Sequence, residues 1–89
     1  MTKKIAVLIR TRQQKALRTA LGLTLADDKV TIFIMDNKLE KDEMIDLSIE
    51  ALCEMNVIIY SNNHEDKFQH MSTEEIARAL VEYDVVIPY

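Results

Sequence analysis

The chain has 89 residues and a net charge of −4, which predicts a single domain over residues 1–89 and argues against general nucleic-acid binding. It is 48% hydrophobic, yet no apolar run approaches the roughly 18 residues of a membrane span, so no membrane partner is expected. The single cysteine, Cys53, excludes an internal disulfide and suits a reducing compartment, and the apolar run near the start is too short for a signal peptide, so we expect a cytoplasmic protein.

Four apolar runs, rich in valine and isoleucine, predict β-strands. They do not alternate with polar residues, and continuous apolar runs are typical of parallel strands covered on both faces. In chain order the runs are 5-IAVLI-9, 30-VTIFIM-35, 57-VIIY-60 and 85-VVI-87.

Helical segments lie between these strands. The first begins near Thr11, whose hydroxyl can form a capping box with Gln14. The second runs from about Lys41 to Met55, and Asn56 follows it, where a helix end favours a left-handed residue. Cys53 falls on the inward face of this second helix, so we expect a buried, unreactive thiol.

The third helix begins with a second capping box, formed by Ser72 and Glu75. Strands and helices therefore alternate, and right-handed crossovers make the sheet parallel with helices on both faces. The expected fold class is α/β, a three-layer α/β/α flavodoxin-like arrangement with four parallel strands in the order 2-1-3-4. Pro88 fits the end of an edge strand.

A polar stretch, 60-YSNNHEDKFQHM-71, follows the third strand and marks a candidate site. Ligands of open α/β sheets bind beyond the carboxyl ends of the strands, where the winding reverses, which for this strand order lies between strands 1 and 3. The first helix begins there and its positive end favours an anion. The alternative is that these residues only form turns. The expected ligand-binding residues are Arg10, Thr11, Arg12, Ser61, Asn62, Asn63 and His64.

Metal and cofactor sites are not expected. His64 and His70 have a spacing that fits no standard zinc pattern, and no second cysteine is near them. The only glycine, Gly22, falls within a helix, which excludes a glycine-rich phosphate loop.

Charge is divided unevenly along the chain. Residues 1–26 hold six basic residues and no acidic one, whereas residues 27–89 have a balance of −10. This division predicts a local anion-attracting patch or a self-complementary surface. A domain this small also exposes apolar area that favours cover, so we expect a homo-oligomer built on the surface around Met44, Met55, Phe68 and Tyr83.

The chain resembles the DsrE/DsrF/TusD family of small sulfur-relay proteins. The likeness lies in the first strand with its polar turn, in the run 57-VIIY-60 after an acidic helix, and in the last strand DVVIPY. The resemblance implies a 2-1-3-4 sheet, an oligomer, and a persulfide-carrying cysteine at the end of strand 3. That cysteine falls on Asn62, or on Ser61 if shifted by one residue, and neither can carry sulfur because the chemistry needs a thiolate.

The resemblance therefore implies a DsrE-like protein without the sulfurtransferase residue, and no catalytic residue is assigned. We predict a non-catalytic homo-oligomer that binds a small anion or a partner protein beyond strands 1 and 3. Two alternatives stay open: a sulfur carrier that uses Cys53, and a small enzyme of unrelated chemistry with His64 as general base.

Overall fold

A parallel sheet with three helices forms the described part of the chain. The computed structural model describes residues 3–26, 28–36, 39–63, 66 and 68–89. In chain order the elements are β1 (Lys4–Ile9), α1 (Gln13–Leu25), β2 (Lys29–Ile34), α2 (Glu43–Glu54), β3 (Ile58–Ser61), β4 (Gln69–His70), α3 (Thr73–Leu80) and β5 (Val85–Pro88). Among these residues, no helix is long and apolar enough to cross a membrane.

The α/β class and the parallel pairing are confirmed, but the predicted strand order is wrong. The sheet has five strands in the order β4-β3-β2-β1-β5, not four in the order 2-1-3-4. An apolar run reveals that a strand is buried but does not reveal its neighbour, and β4 is two exposed polar residues that carry no apolar signal. Because β2 lies between β1 and β3, the winding reverses between β1 and β5.

Two apolar clusters lie on opposite faces of the sheet, because successive strand residues point to opposite sides. On one face, alternate residues of β1 and β2 pack under α1 and α2. Phe33 of β2 points to the other face. On the other face, α3 covers a smaller cluster through Ile76. α3 has only eight residues, so the helical layer on this face covers little of the sheet. Ile58, at the start of β3, is therefore 52% exposed.

The end of α2 confirms the expected left-handed residue. Asn56 has a φ of 63°. Its N–H donates to the Cys53 carbonyl at 3.0 Å, and the Val57 N–H donates to the Leu52 carbonyl at 3.1 Å. This pair of bonds is a Schellman motif, and it turns the chain from α2 towards β3.

The three helices begin differently. Asp42 caps α2 by accepting the N–H groups of its first turn, and the predicted capping box of Ser72 and Glu75 is present at α3. The capping box predicted at Thr11 is wrong. α1 begins at Gln13 after Arg12, which is left-handed with a φ of 50° and makes no side-chain cap.

Candidate functional site

The carboxyl ends of β2 and β3 are joined through the side-chain amide of Asn62. Its Oδ1 accepts the Asp36 N–H at 2.8 Å, and its Nδ2 donates to Thr73 Oγ1 at 3.0 Å. The Asp36 carboxylate in turn lies 3.5 Å from Arg10 Nε, which brings in the end of β1. Asn62 therefore connects two strands with the start of α3, and both ends of its amide are engaged within the protein.

Ser61 has a comparable internal role in the loop between β3 and β4. The side chain is fully buried, and its hydroxyl donates to Asp66 Oδ2 at 2.6 Å while accepting the Asn63 N–H at 3.1 Å. Asp66 also accepts the Leu39 N–H at 3.4 Å. These bonds hold the loop against the segment that leads to α2. His64, another predicted site residue, lies outside the described residues.

β2 occupies the predicted crevice between strands 1 and 3. The predicted site residues therefore do not form one site. Arg10 is linked to Asn62 through Asp36, which contacts both residues. The Thr11 N–H, predicted to face a ligand, donates to the Tyr89 carbonyl at 3.2 Å. Arg12 lies apart from them, beside α2.

A cleft of about 460 Å³ lies between the beginnings of α1 and α2, and we call it the helix cleft. Both helices begin at the carboxyl edge of the sheet, where ligands of α/β proteins bind. The cleft's volume falls within the range of small-molecule sites. Its lining residues are Arg12, Gln13, Gln14, Lys15, Arg18, Glu40, Asp42 and Ile45.

Two hydrogen bonds connect the walls of the helix cleft. Gln13 is buried in the first turn of α1, and its Oε1 accepts the Glu40 N–H at 2.8 Å. Beside it, Gln14 Nε2 donates to Asp42 Oδ1 at 3.3 Å. Because these bonds join α1 to the segment before α2, the cleft has a defined width in the absence of a ligand.

One wall of the cleft is strongly basic. Arg12, Lys15 and Arg18 are exposed, and none of them makes an ion pair with a described residue. α1 has no acidic residue in its first turn and no side-chain cap. The N–H groups of Gln14 and Lys15 also have no acceptor among the described residues. Cationic side chains and the first turn of α1 thus line one cavity, an arrangement that attracts anions.

The sequence analysis identified Arg12 but missed the rest of the helix cleft. A signal for the basic wall was present, since Arg12, Lys15 and Arg18 recur every three residues and so lie near one another on a helix. The opposite wall had no such signal. Glu40 and Asp42 approach α1 only because the buried Gln13 and its neighbour hold that segment in place.

A second cavity, of about 420 Å³, lies along the outer side of α2 and contains Cys53. Cys53 is exposed, so the prediction of a buried thiol is wrong. The buried stripe of α2 ends with Leu52, and the next residue lies about 100° further around the helix. The remaining lining residues are Leu39, Asp46, Ile49, Glu50 and Phe68.

No group of three or more histidine, cysteine or acidic side chains that could hold a metal ion occurs in the part of the chain that the structure describes. Comparison of the chain with protein-family models, curated proteins and solved structures found no match.

Proposed function

We propose that this chain is a non-catalytic binding protein that holds a small anionic ligand in the helix cleft. The observation that carries the proposal is the basic wall: three cationic side chains that form no ion pair with any described residue lie beside the uncapped start of α1. The predicted crevice between strands 1 and 3 is a weaker candidate, because β2 lies between those strands and the Asn62 amide has internal partners.

The backbone at the start of α1 also favours an anion. Arg12 is left-handed, which costs a residue other than glycine on the order of 1 kcal/mol. A left-handed residue next to right-handed ones turns successive N–H groups towards one side, which is how backbone amides form concave anion sites. A ligand oxygen would accept the first N–H groups of α1, as the Asp42 carboxylate accepts those of α2.

The expected affinity is modest. A partly exposed anion contact contributes about 1–3 kcal/mol, and a few such contacts give binding between millimolar and micromolar. The helix cleft is open to solvent, so salt would weaken the binding.

Titration with phosphate and sulfate, followed by amide NMR shifts, tests the proposal. We expect the largest shifts at residues 12–18, and about tenfold weaker binding in Lys15→Gln. Lys29→Gln is the matched control, since Lys29 is exposed at the amino end of β2, away from the cleft. Shifts centred on residues 10 and 61–63 instead, or binding that Lys15→Gln leaves unchanged, would contradict the helix cleft as the site.

Self-association is the second part of the proposal, and its support is the distribution of charge and apolar surface on the two neighbouring helices. α1 has only basic charged residues and α2 only acidic ones. Met44 and Leu47 of α2 are about half exposed. A second copy could place its basic helix on the acidic one, so a homo-oligomer remains our prediction.

The DsrE-like kinship and the two functional alternatives also remain predictions. The observed strand order differs from the one that the DsrE resemblance implies. A sulfur carrier is favoured only by the exposure of Cys53, and the described end of β3 carries Ser61 and Asn62 in place of a cysteine. An enzyme that uses His64 would depend on a residue outside the described part of the chain.

A further inference from the structure

We propose that the ligand of the helix cleft is a zwitterion: a small aliphatic amine that carries a phosphate, sulfonate or carboxylate group. The inference of an anionic group rests on the function proposed above. The ammonium group is inferred from the opposite wall of the same cleft. That wall is formed by Glu40 and Asp42.

The two acidic side chains differ in their hydrogen-bond partners. Asp42 Oδ1 caps α2, accepting the Met44 N–H at 2.8 Å, and it also accepts Gln14 Nε2. The Glu40 carboxylate has no hydrogen bond or ion pair with any described residue. Its backbone is nevertheless held in place, because the Glu40 N–H donates to the buried Gln13. Glu40 is therefore the acidic group that is positioned at the cleft and open to a ligand.

Opposite charges face each other across the helix cleft without contact. No basic residue of the cleft lies within ion-pair distance of Glu40 or Asp42 in the described structure. A simple anion bound at the basic wall would be repelled by the two carboxylates, and a simple cation would be repelled by Arg12, Lys15 and Arg18. The two walls line the same cleft, so salt weakens these repulsions without abolishing them. A ligand with both charges satisfies both walls.

The size of the cleft admits a compact zwitterion. About 460 Å³ is enough for a compact molecule in which two or three carbon atoms separate the charged groups. A phosphate suits the basic wall, because guanidinium groups and helix N–H groups both donate to its oxygens. An ammonium group supplies three donors for carboxylate oxygens on the other side.

Binding of O-phosphoethanolamine and of monoethyl phosphate, which lacks only the amine, provides the matched comparison. By amide NMR titration of the native protein, we expect O-phosphoethanolamine to bind about tenfold more tightly. Glu40→Gln should affect the two ligands differently: O-phosphoethanolamine should bind about tenfold more weakly, and monoethyl phosphate should bind equally well or more tightly. Glu43→Gln, an exposed acid of α2 outside the cleft lining, should leave the ratio of affinities unchanged.

The possible failures separate the two proposals. If both ligands bind with equal affinity and shift residues 12–18, the cleft is an anion site and the zwitterion inference is wrong. The same holds if Glu40→Gln strengthens both ligands equally, since Glu40 would then only repel. If neither ligand shifts residues 12–18, the proposed function fails together with the inference.

Discussion

At the scale of single residues, the polar side chains that follow the strands are engaged with one another. Asn62 joins β2, β3 and α3, and Ser61 closes the loop after β3 through Asp66. Buried or half-buried polar groups are stabilising when they are paired and costly when they are not. Ser61 and Asn62, the first polar residues after the apolar part of β3, thus have structural roles.

We predict that the Cys53 thiol is accessible but does not store sulfur. In the native protein it should react fully with a thiol reagent such as dithionitrobenzoate without denaturant, because the side chain is exposed. After incubation with a persulfide donor, mass spectrometry should show no stable gain of one sulfur. The described lining of its cavity has the acidic Asp46 and Glu50 and no basic side chain to stabilise an anionic persulfide.

Cys53→Ser is the control for both measurements, since it removes the only thiol. A persulfide mapped to Cys53 and absent from Cys53→Ser would favour the sulfur-carrier alternative over the binding protein.

At the scale of elements, α3 is short and depends on its first turn. It has eight residues, fewer than an isolated helix needs, and only Ile76 is fully buried. The hydrogen bond from the Ser72 backbone N–H, followed by that from its side chain, lowers the pKa of Glu75 below its ordinary value of 4.5. The ionised form of Glu75 is therefore the form that the capping box stabilises.

This lowered pKa predicts the direction of a pH effect. Since the pKa of Glu75 is lower in the folded state, its contribution to stability is present above about pH 4.5 and is lost as the pH falls through the folded value. Glu75→Gln should therefore reduce the free energy of unfolding at pH 7 by more than at pH 3, measured by urea denaturation. Glu74→Gln is the control, because Glu74 is exposed on the same turn and makes no bond to the cap. An equal effect of Glu75→Gln at both pH values would contradict the prediction.

At the scale of the whole molecule, the surface proposed for self-association differs from the one expected. Of the four side chains predicted to need cover, Met44 is exposed, whereas Met55, Phe68 and Tyr83 are half-buried. Tyr83 packs edge-on against the buried ring of Phe33, 5.8 Å between ring centroids. The apolar surface that remains on α2 is therefore centred on Met44 and Leu47.

We expect light scattering at micromolar concentration to give a multiple of the 10.3 kDa protomer mass. Leu47→Lys should shift the mass towards that of the protomer, because it places a positive charge where the basic α1 of the second copy would lie, without touching the core. Val81→Lys is the matched control, since Val81 is 83% exposed after α3, on the opposite face of the sheet. A wild-type mass near 10.3 kDa would rule out the homo-oligomer at that concentration.

The sequence by itself determined the secondary structure, because its signals are local. The apolar runs identified β1, β2, β3 and β5, and the pairing of Ser72 with Glu75 identified the start of α3. It missed β4, whose two polar residues form a strand only by pairing with β3.

Only the tertiary structure decided the strand order and the helix cleft. β1 and β2 are both buried on two faces, so their composition does not show which of them lies beside β3. The cleft likewise depends on a bond between Gln13 and Glu40, which are 27 residues apart. Contacts between distant segments arise from how the helices pack on the sheet. A local sequence pattern does not predict that packing.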